Sequence, residues 1–477
     1  MSLRVRNKRD GTIITITIGE HGLSVRTSLA VASKKQRGCT SCLSRAGSYD
    51  EIEKGEAADL HIDYSDVANC ALENGKDVIL SFIVAEQDYN LLSVCGEVEG
   101  GADDSLHALI QQIRSQARLT NGRKLKVLVN PVGGTGRAVE HYNRIVAPIL
   151  AASGCVVNMQ ILEYKGHAFD IARTLELSWD AVVCVSGDGI PHEVWNGFLH
   201  HSDAAKAFSI PLCPIPGGSG NGISVCVLGA DHGLNLSVAA LNAAKGGAMP
   251  LDLMSIWQGG KRTISYLTQA AGLMAAIDVD TESLRWMGDT RFTVGYIRSL
   301  IKNKPCDCEI YIKVAEDDKA AMVERLREKS MSQSTPATHQ TENTNIPPVR
   351  FTEPESDWVK ISGDVWYMYA GKVPYVSRTF KQFPVAVNDD GCIDVAVQMN
   401  VSRKHKLTAM DGADRGAMFY DDSLRYYKAT AYHFIPGNDG GRLATDGEQL
   451  PVLPFTVEVM PSLGRLVSPY NTWNSQF

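Results

Sequence analysis

The sequence has no uninterrupted apolar stretch of the ~18 residues that a membrane-spanning helix requires, so the chain is not expected to cross a bilayer. It has no surplus of basic charge either. Lys and Arg total 47 against 54 Asp and Glu, and the net charge of −7 supplies no general field for nucleic acid. A zinc ribbon is not expected, because among eleven cysteines only Cys39 and Cys42 form a Cys-x-x-Cys unit and no second unit completes it. Scattered, reduced thiols in the cytosol are the expectation. A secretory leader is not expected: Arg4, Arg6, Lys8 and Arg9 precede Thr12 to Ile18, where isoleucine alternates with threonine, too polar and too strand-like for a signal core. Internal repeats are lacking.

Two familiar phosphate-binding signatures are also missing. A P-loop ends in Gly-Lys-Ser/Thr, whereas Gly136 is followed by Arg137-Ala138. The dinucleotide fingerprint needs a third small residue where Val139 stands. What is present instead is three glycine-rich turns: Asn130-Pro131-Val132-Gly133-Gly134-Thr135-Gly136, Ser186-Gly187-Asp188-Gly189, and Pro216-Gly217-Gly218-Ser219-Gly220-Asn221. Each follows an apolar run that reads as a buried strand, over 125–129, 181–185 and 210–215. Glycine lets backbone N–H groups approach an anion closely, so the three turns suggest the lip of an open α/β sheet holding a polyphosphate. Asp188 is the only acidic residue inside any of them.

At 477 residues and 44% hydrophobic content, the chain is long enough for two or three domains. Residues 1–118 read as a strand-rich extension, with a strand over 78–84 and a helix over 105–118. Residues 119–249 alternate strands with helices at 138–152, 167–177 and 192–199, the pattern of a doubly wound, mostly parallel sheet. Residues 250–477 are rich in strands, and 329–348, dominated by Ser, Thr, Gln, Asn and Pro, read as a disordered insertion. Thr335-Pro336 within it is a phosphosite candidate or a plain solvated loop.

Together the turns resemble the sphingosine kinase and diacylglycerol kinase catalytic family. Asn130-Pro131 with Gly133 to Ala138 is similar to its first motif. Ser186 to Gly189 followed by His192-Glu193-Val194 and Asn196-Gly197 is similar to its second, Gly218 to Asn221 to its third, and Asp446-Gly447-Glu448 to its last. The resemblance spans roughly residues 122–460. It implies ATP and Mg²⁺ as cofactors, a β-sandwich after the kinase domain, and phosphoryl transfer to the primary hydroxyl of a sphingoid long-chain base.

Within that reading Asp188 accepts the hydroxyl proton; the alternative is a turn aspartate capping the helix that follows. Asn130, Gly133, Gly134, Thr135, Gly136, Ser186, Gly187, Gly218, Ser219 and Asn221 form the phosphate cradle. The resemblance adds Arg285 and Arg291 as phosphate contacts, and Asp446, Gly447 and Glu448 at the nucleotide, with Asp446 or Glu448 reaching Mg²⁺ through water. No direct protein ligand to the metal is assigned. For the lipid, the resemblance points to Asp278 as partner of the ammonium group, with Thr268 beside it and Leu267 and Leu273 lining an acyl channel. A carboxylate there suits an amino alcohol, whereas a neutral lipid would leave it unpaired. Asp280 stands two residues away and competes for the role, a surface carboxylate being the alternative for either. Leu162 replaces a threonine common in relatives, and Trp195 departs from the second motif without removing a proposed ligand.

Lys34, Lys35 and Arg37 precede Cys39 and Cys42. Such a segment could carry two palmitoyl chains beside a basic patch and hold a cytoplasmic protein peripherally on membranes, or it is a flexible loop with unmodified thiols. Fungal members of the family have a similar cysteine pair. The competing functions are a diacylglycerol or ceramide kinase, a non-catalytic lipid-binding scaffold of the same fold, and an NAD-type kinase, which the apolar segment around Asp278 disfavours.

Overall fold

The computed structural model describes residues 2–8, 11–27, 33–34, 51–52, 59–84, 90–99, 104–281, 294–297, 305–331, 345–409, 411–437, 441–475 and 477. Cys39, Cys42, Arg285, Arg291 and Thr335-Pro336 lie outside the described residues. The chain divides into two compact units. One comprises Met1–Leu125, Val139–Asn158 and Asn235–Gly246, the other Lys126–Ala138, Met159–Leu234 and Gly247–Phe477.

In the first unit the isoleucine–threonine alternation makes the strand Ile13–Ile18, with Ile14 and Ile16 turned into the core. Its sheet has seven strands in the order Asp59–Asp63, Gly22–Thr27, Ile13–Ile18, Ser2–Asn7, Asn90–Val98, Asp77–Val84 and Val67–Glu73. The helix Asp104–Gln116 lays Leu106, Leu109, Ile110 and Ile113 into the same apolar cluster, as their helical spacing requires. The helix expected over 138–152 forms, but its middle turn, Tyr142–Val146, is wound as a π-helix.

Lys245, the last residue of the helix Leu236–Lys245, donates from Nζ to the carbonyls of Tyr64 (3.0 Å) and Val67 (2.7 Å). Burial lowers its pKa to about 7, against the pull of Asp66, while Arg118 pushes the same way as burial. A cation with a depressed folded pKa sheds its proton on folding, so between about 7 and the unfolded value the unfolded chain holds more protons. Stability from this residue therefore rises with pH across that window. Lys245→Met should flatten the rise, seen as unfolding free energy against pH. The slope lost should be at most ~1.4 kcal/mol per pH unit, because a single site can differ by no more than one proton between the folded and unfolded chain.

The second unit holds most of a mixed 15-stranded sheet. Its path runs Val156–Ile161, Lys124–Val129, Ala181–Ser186, Leu212–Pro216, Phe455–Ser468, Leu424–Pro436, Ile393–Met399, Val365–Gly371, Thr268–Gly272, Leu443–Thr445 and Glu448–Leu450. Ala181–Ser186 and Leu212–Pro216 pair in parallel, and Leu212 pairs in parallel with Leu466. From Phe455–Ser468 onward the registers are antiparallel, so the parallel pairing expected over 119–249 stays at that end of the sheet. Alternation distributes the strand side chains between two cores. Val365, Met368 and Ala370 enter one, Tyr367 and Tyr369 the other. The helix Lys319–Met331, which buries Met322, Val323 and Leu326, takes up the first three residues of the insertion expected over 329–348; 332–344 lie outside the described residues.

Candidate active site

The three glycine turns lie at the ends of the strands Lys124–Val129, Ala181–Ser186 and Leu212–Pro216, all within the second unit, and they interlock backbone against backbone. A Cβ on Gly218 would stand 2.3 Å from the Cα of Gly187, and one on Gly134, whose φ is +56°, 2.8 Å from the carbonyl carbon of Gly218. These glycines are required by turn-on-turn packing as well as by anion approach. Asn130 and Asn221 act as braces. Val132 N–H donates to Asn130 Oδ1 (3.2 Å), Gly217 and Gly218 N–H donate to Asn221 Oδ1 (3.2 and 3.1 Å), and Asn221 Nδ2 donates to Gly218 O (2.9 Å). Gly136 N–H is used within its turn by Gly133 O (2.9 Å). The N–H groups of Gly133, Gly134 and Thr135 have no partner among the described residues, leaving three donors at the lip of the sheet. Ser186 Oγ donates to Gly187 O (2.9 Å) and Arg137 is exposed.

Asp188 begins the helix Gly189–Leu199 but does not cap it with its side chain. Its carboxylate turns to another helix, Gly222–Leu228, accepting from Gly222 N–H on Oδ2 (2.8 Å) and Ile223 N–H on Oδ1 (3.2 Å). It is 9% exposed. Its carbonyl accepts from the Tyr266 hydroxyl (2.7 Å), and the Tyr266 ring packs on Trp195 at 4.6 Å. Asp188 is thus held at both ends, beside Gly220, whose Cβ would lie 3.4 Å from Oδ2.

Asp446 is the second hub, a buried residue with φ +48°. Its Oδ1 accepts from Ser265 Oγ (2.7 Å) and from Leu267 and Thr268 N–H (both 3.0 Å). Its Oδ2 accepts from Tyr266 N–H (3.3 Å) and stands 2.7 Å from His192 Nδ1. Five donors occupy the carboxylate, so its side chain organises the 265–268 turn and offers no free oxygen to nucleotide or metal. Burial alone would lower the His192 pKa; the hydrogen bond to Asp446, with the charges of Asp446, Glu448 and Glu193, outweighs it and the pKa is raised. These supporting residues escape sequence reasoning, although His192 and Glu193 stand within the second motif.

Glu448 is part-exposed. Its Oε2 accepts from Lys165 Nζ (2.7 Å), and its Oε1 faces the position a Gly189 Cβ would take, at 3.9 Å. Glu193 braces the loop carrying Lys165, accepting N–H bonds from Gly166 (3.0 Å) and Ala168 (3.2 Å). Leu162 is buried and presents no polar group here. Among the described residues no three His, Cys, Asp or Glu side chains gather as a metal centre.

Asp278 stands on the helix Leu273–Asp280. Asp280 pairs with Arg442 (3.0 Å) at the surface. Leu273 joins an apolar cluster with Met274, Ile277, Trp366, Tyr367 and Phe383. Leu267 does not; its carbonyl accepts from Lys372 N–H (3.1 Å). Thr268 is buried, its methyl against Gly371. A cavity of about 330 Å³ lies apart from the phosphate turns, between Met322, Arg325 and Lys329 on one side and Val387, Asp390 and Lys428 on the other. Lys428 at its floor is paired with Asp390 (2.9 Å) and Asp394 (3.0 Å), an internal arrangement.

Residues 124–256 match the diacylglycerol kinase catalytic domain, and 357–468 match the YegS C-terminal NAD kinase beta sandwich-like domain. A diacylglycerol kinase structure from Bacillus anthracis superposes with a TM-score of 0.51 at 18% identity, covering 73% of this chain and 98% of that one, a likeness of fold. Sphingoid long chain base kinase 5 of Saccharomyces cerevisiae is 30% identical over 424 residues, 76% of this chain and 61% of the relative. Sphingoid long chain base kinase 4 of Schizosaccharomyces pombe is 34% identical over 356 residues, 74% of this chain and 76% of the relative. With a likeness of that degree over most of both chains, and its ordered glycine turns closed around Asp188, the protein belongs to the sphingoid long chain base kinases, built on a diacylglycerol kinase catalytic domain.

Proposed function

We propose that the protein transfers the γ-phosphate of ATP to the primary hydroxyl of a sphingoid long-chain base. The observation that carries this is the convergence of unbonded turn N–H groups with one anchored carboxylate, Asp188. Asp188 Oδ2 accepts from Gly222 N–H and Oδ1 from Ile223 N–H, which fixes the carboxylate that is proposed to receive the substrate hydroxyl proton. As the hydroxyl oxygen forms its bond to the γ-phosphorus, its proton passes to Asp188, the bond to the β-phosphate oxygen breaks, and ADP leaves; no phosphoenzyme is needed. The N–H groups of Gly133 to Thr135 take up charge on the phosphate oxygens. Arg285 and Arg291 are proposed to add guanidinium contacts, Ser186, Gly187 and Ser219 to complete the cradle.

Mg²⁺ bound with ATP would supply neutralisation of charge on the phosphate oxygens. Glu448, part-exposed and beside Gly189, fits a metal that keeps several waters; Asp446 does not, since its oxygens are consumed. Asp278 is the proposed partner of the lipid ammonium group. Because the acceptor resides in membranes, peripheral attachment through the basic segment and acylated Cys39 and Cys42 is part of the proposal. Thioester-linked label persisting after both cysteines are changed to serine would remove that part.

The test is purified protein with labelled ATP and a panel of sphingoid base, diacylglycerol and ceramide. Sphingoid base should be the main acceptor. Asp278→Ala should cut its kcat/KM by ~10-fold or more, the value of a lost charged contact. Equal use of neutral lipids by the parent would replace this reading with a diacylglycerol or ceramide kinase. Binding of ATP or sphingoid base without turnover would replace it with a scaffold.

A further inference from the structure

The strand Val365–Gly371 is followed by a hairpin that the site described above does not use. Val376 N–H donates to Phe380 O (3.0 Å) and Phe380 N–H to Ser377 O (3.1 Å), which leaves Arg378-Thr379 as a two-residue turn at its tip. The base of the hairpin is clamped to the helix Gly222–Leu228. Tyr375 N–H donates to Cys226 Sγ (3.3 Å), and the thiol donates in turn to Tyr375 O (3.3 Å). One helical turn closer to the N-terminus, a Cβ on Gly222 would stand 3.2 Å from Tyr375 O and 3.1 Å from Val376 O. The hairpin strand thus runs along the helix toward its N-terminus. Gly222 is also the residue whose N–H donates to Asp188 Oδ2 (2.8 Å). Past Val376 the chain heads for the Asp188 carboxylate and the glycine turn over 216–221.

The tip of this hairpin is exposed and unengaged. Arg378 and Thr379 face solvent, and the Arg378 guanidinium has no hydrogen-bond or ion-pair partner among the described residues. Lys381, on the return strand, is by contrast buried, with its ammonium 4.6 Å from the centre of the Tyr375 ring. The charge of the site favours a cation at the tip. Asp188 and Glu448 are acidic, Lys165 is committed to Glu448, and the N–H groups of Gly133 to Thr135 carry only partial charge. A γ-phosphate brought to Asp188 sets two negative groups side by side, a repulsion that falls when a permanent positive charge lies beside them.

We propose that Arg378 is a further catalytic residue of this chain, whose guanidinium binds the oxygens of the phosphoryl group that is transferred. Its planar fork donates two N–H bonds to that group and stays protonated throughout, so it takes up charge without competing with Asp188 for the proton. The phosphoryl group leaves the β-phosphate oxygen for the lipid hydroxyl oxygen, and the hydroxyl proton goes to Asp188. The electron pair of the broken bond stays on ADP. The pairing of Ser377 with Phe380 and the clamp at Cys226 hold the turn, so the arginine is placed before ATP arrives. This rests on the phosphoryl-transfer reading given above, and it adds a contact to the γ-phosphate, which ADP lacks.

The experiment takes the full chain as parent, Arg378→Ala, Arg378→Lys and Arg415→Ala. It measures turnover with ATP and sphingoid base, and calorimetric binding of ATP against ADP without lipid. Arg378→Ala should lower kcat by ~10²- to 10³-fold, the value of one preorganised donor at developing charge. It should bind ATP ~10-fold or more weakly, with its ADP affinity within about twofold of the parent. Arg378→Lys should recover part of both losses, because it restores the charge without the fork. Arg415→Ala removes an exposed guanidinium from the turn Ala413–Arg415, which packs on the same hairpin, and should match the parent within about twofold. The unfolding temperature of Arg378→Ala should equal the parent's, since the side chain has no described partner to lose. A kcat within about threefold of the parent, an equal loss for ATP and ADP, or an equal loss in Arg415→Ala overturns the inference. A parent that phosphorylates no sphingoid base overturns the reading of function instead, and the comparison of ATP with ADP still decides the role of Arg378.

Discussion

Asp188→Asn abolishes lipid phosphorylation, lowering kcat by ~10²- to 10⁴-fold, while the protein stays folded. The two halves of that result follow from the two uses of one carboxylate. As a proton acceptor it cannot be replaced by an amide. As an anchor it partly can, because an asparagine oxygen still accepts one of the N–H bonds now donated by Gly222 and Ile223. Asp188→Ala separates the roles further: it removes the anchor as well and should cost ~0.5–2 kcal/mol of stability, the usual range for a lost helix cap. Turnover with labelled ATP, read beside denaturant unfolding of both variants, checks each half. An asparagine variant that turns over at the parental rate would leave Asp188 as a structural residue only.

Asp446→Ala is expected to be the most destabilising single change in the site, by ~3–5 kcal/mol, as for the loss of one partner from a buried charged network. Five donors on two oxygens lose their acceptor at once, and three of them are consecutive backbone N–H groups of Tyr266, Leu267 and Thr268 that no neighbouring side chain replaces. Activity should fall too, because Tyr266 holds the Asp188 carbonyl and the helix carrying His192 starts one residue after Asp188. The pH dependence carries a signature. His192 has a raised folded pKa, so the stability it contributes is full below the unfolded value of ~6.5 and is lost as pH rises through the folded one. Asp446→Asn should remove that dependence. A midpoint within ~1 kcal/mol of the parent for the alanine variant would mean that water replaces the carboxylate, contrary to its burial.

Both variants expose why the site was only partly legible beforehand. The glycine turns were visible because strand, turn and helix follow one another within a few residues, and local periodicity reports that order. The side-chain roles were not. Asp188 finds its N–H donors 34 and 35 residues away, and Asp446 meets His192 across 254. Asp446 read as a nucleotide ligand because it opens the segment similar to the family's last motif; its geometry makes it the knot behind the turn that follows Lys261–Ser265. Asn221 read as a phosphate contact and serves as a brace for Gly217 and Gly218.

The sequence by itself determined the α/β order, the strand-rich opening, the three phosphate turns and the identity of the one carboxylate among them, because each depends on residues adjacent in the chain. Only the tertiary structure decided which polar groups are spoken for. Whether a carboxylate is free to act depends on the donors that packing brings to it, and these come from segments whose spacing along the chain carries no trace of their meeting.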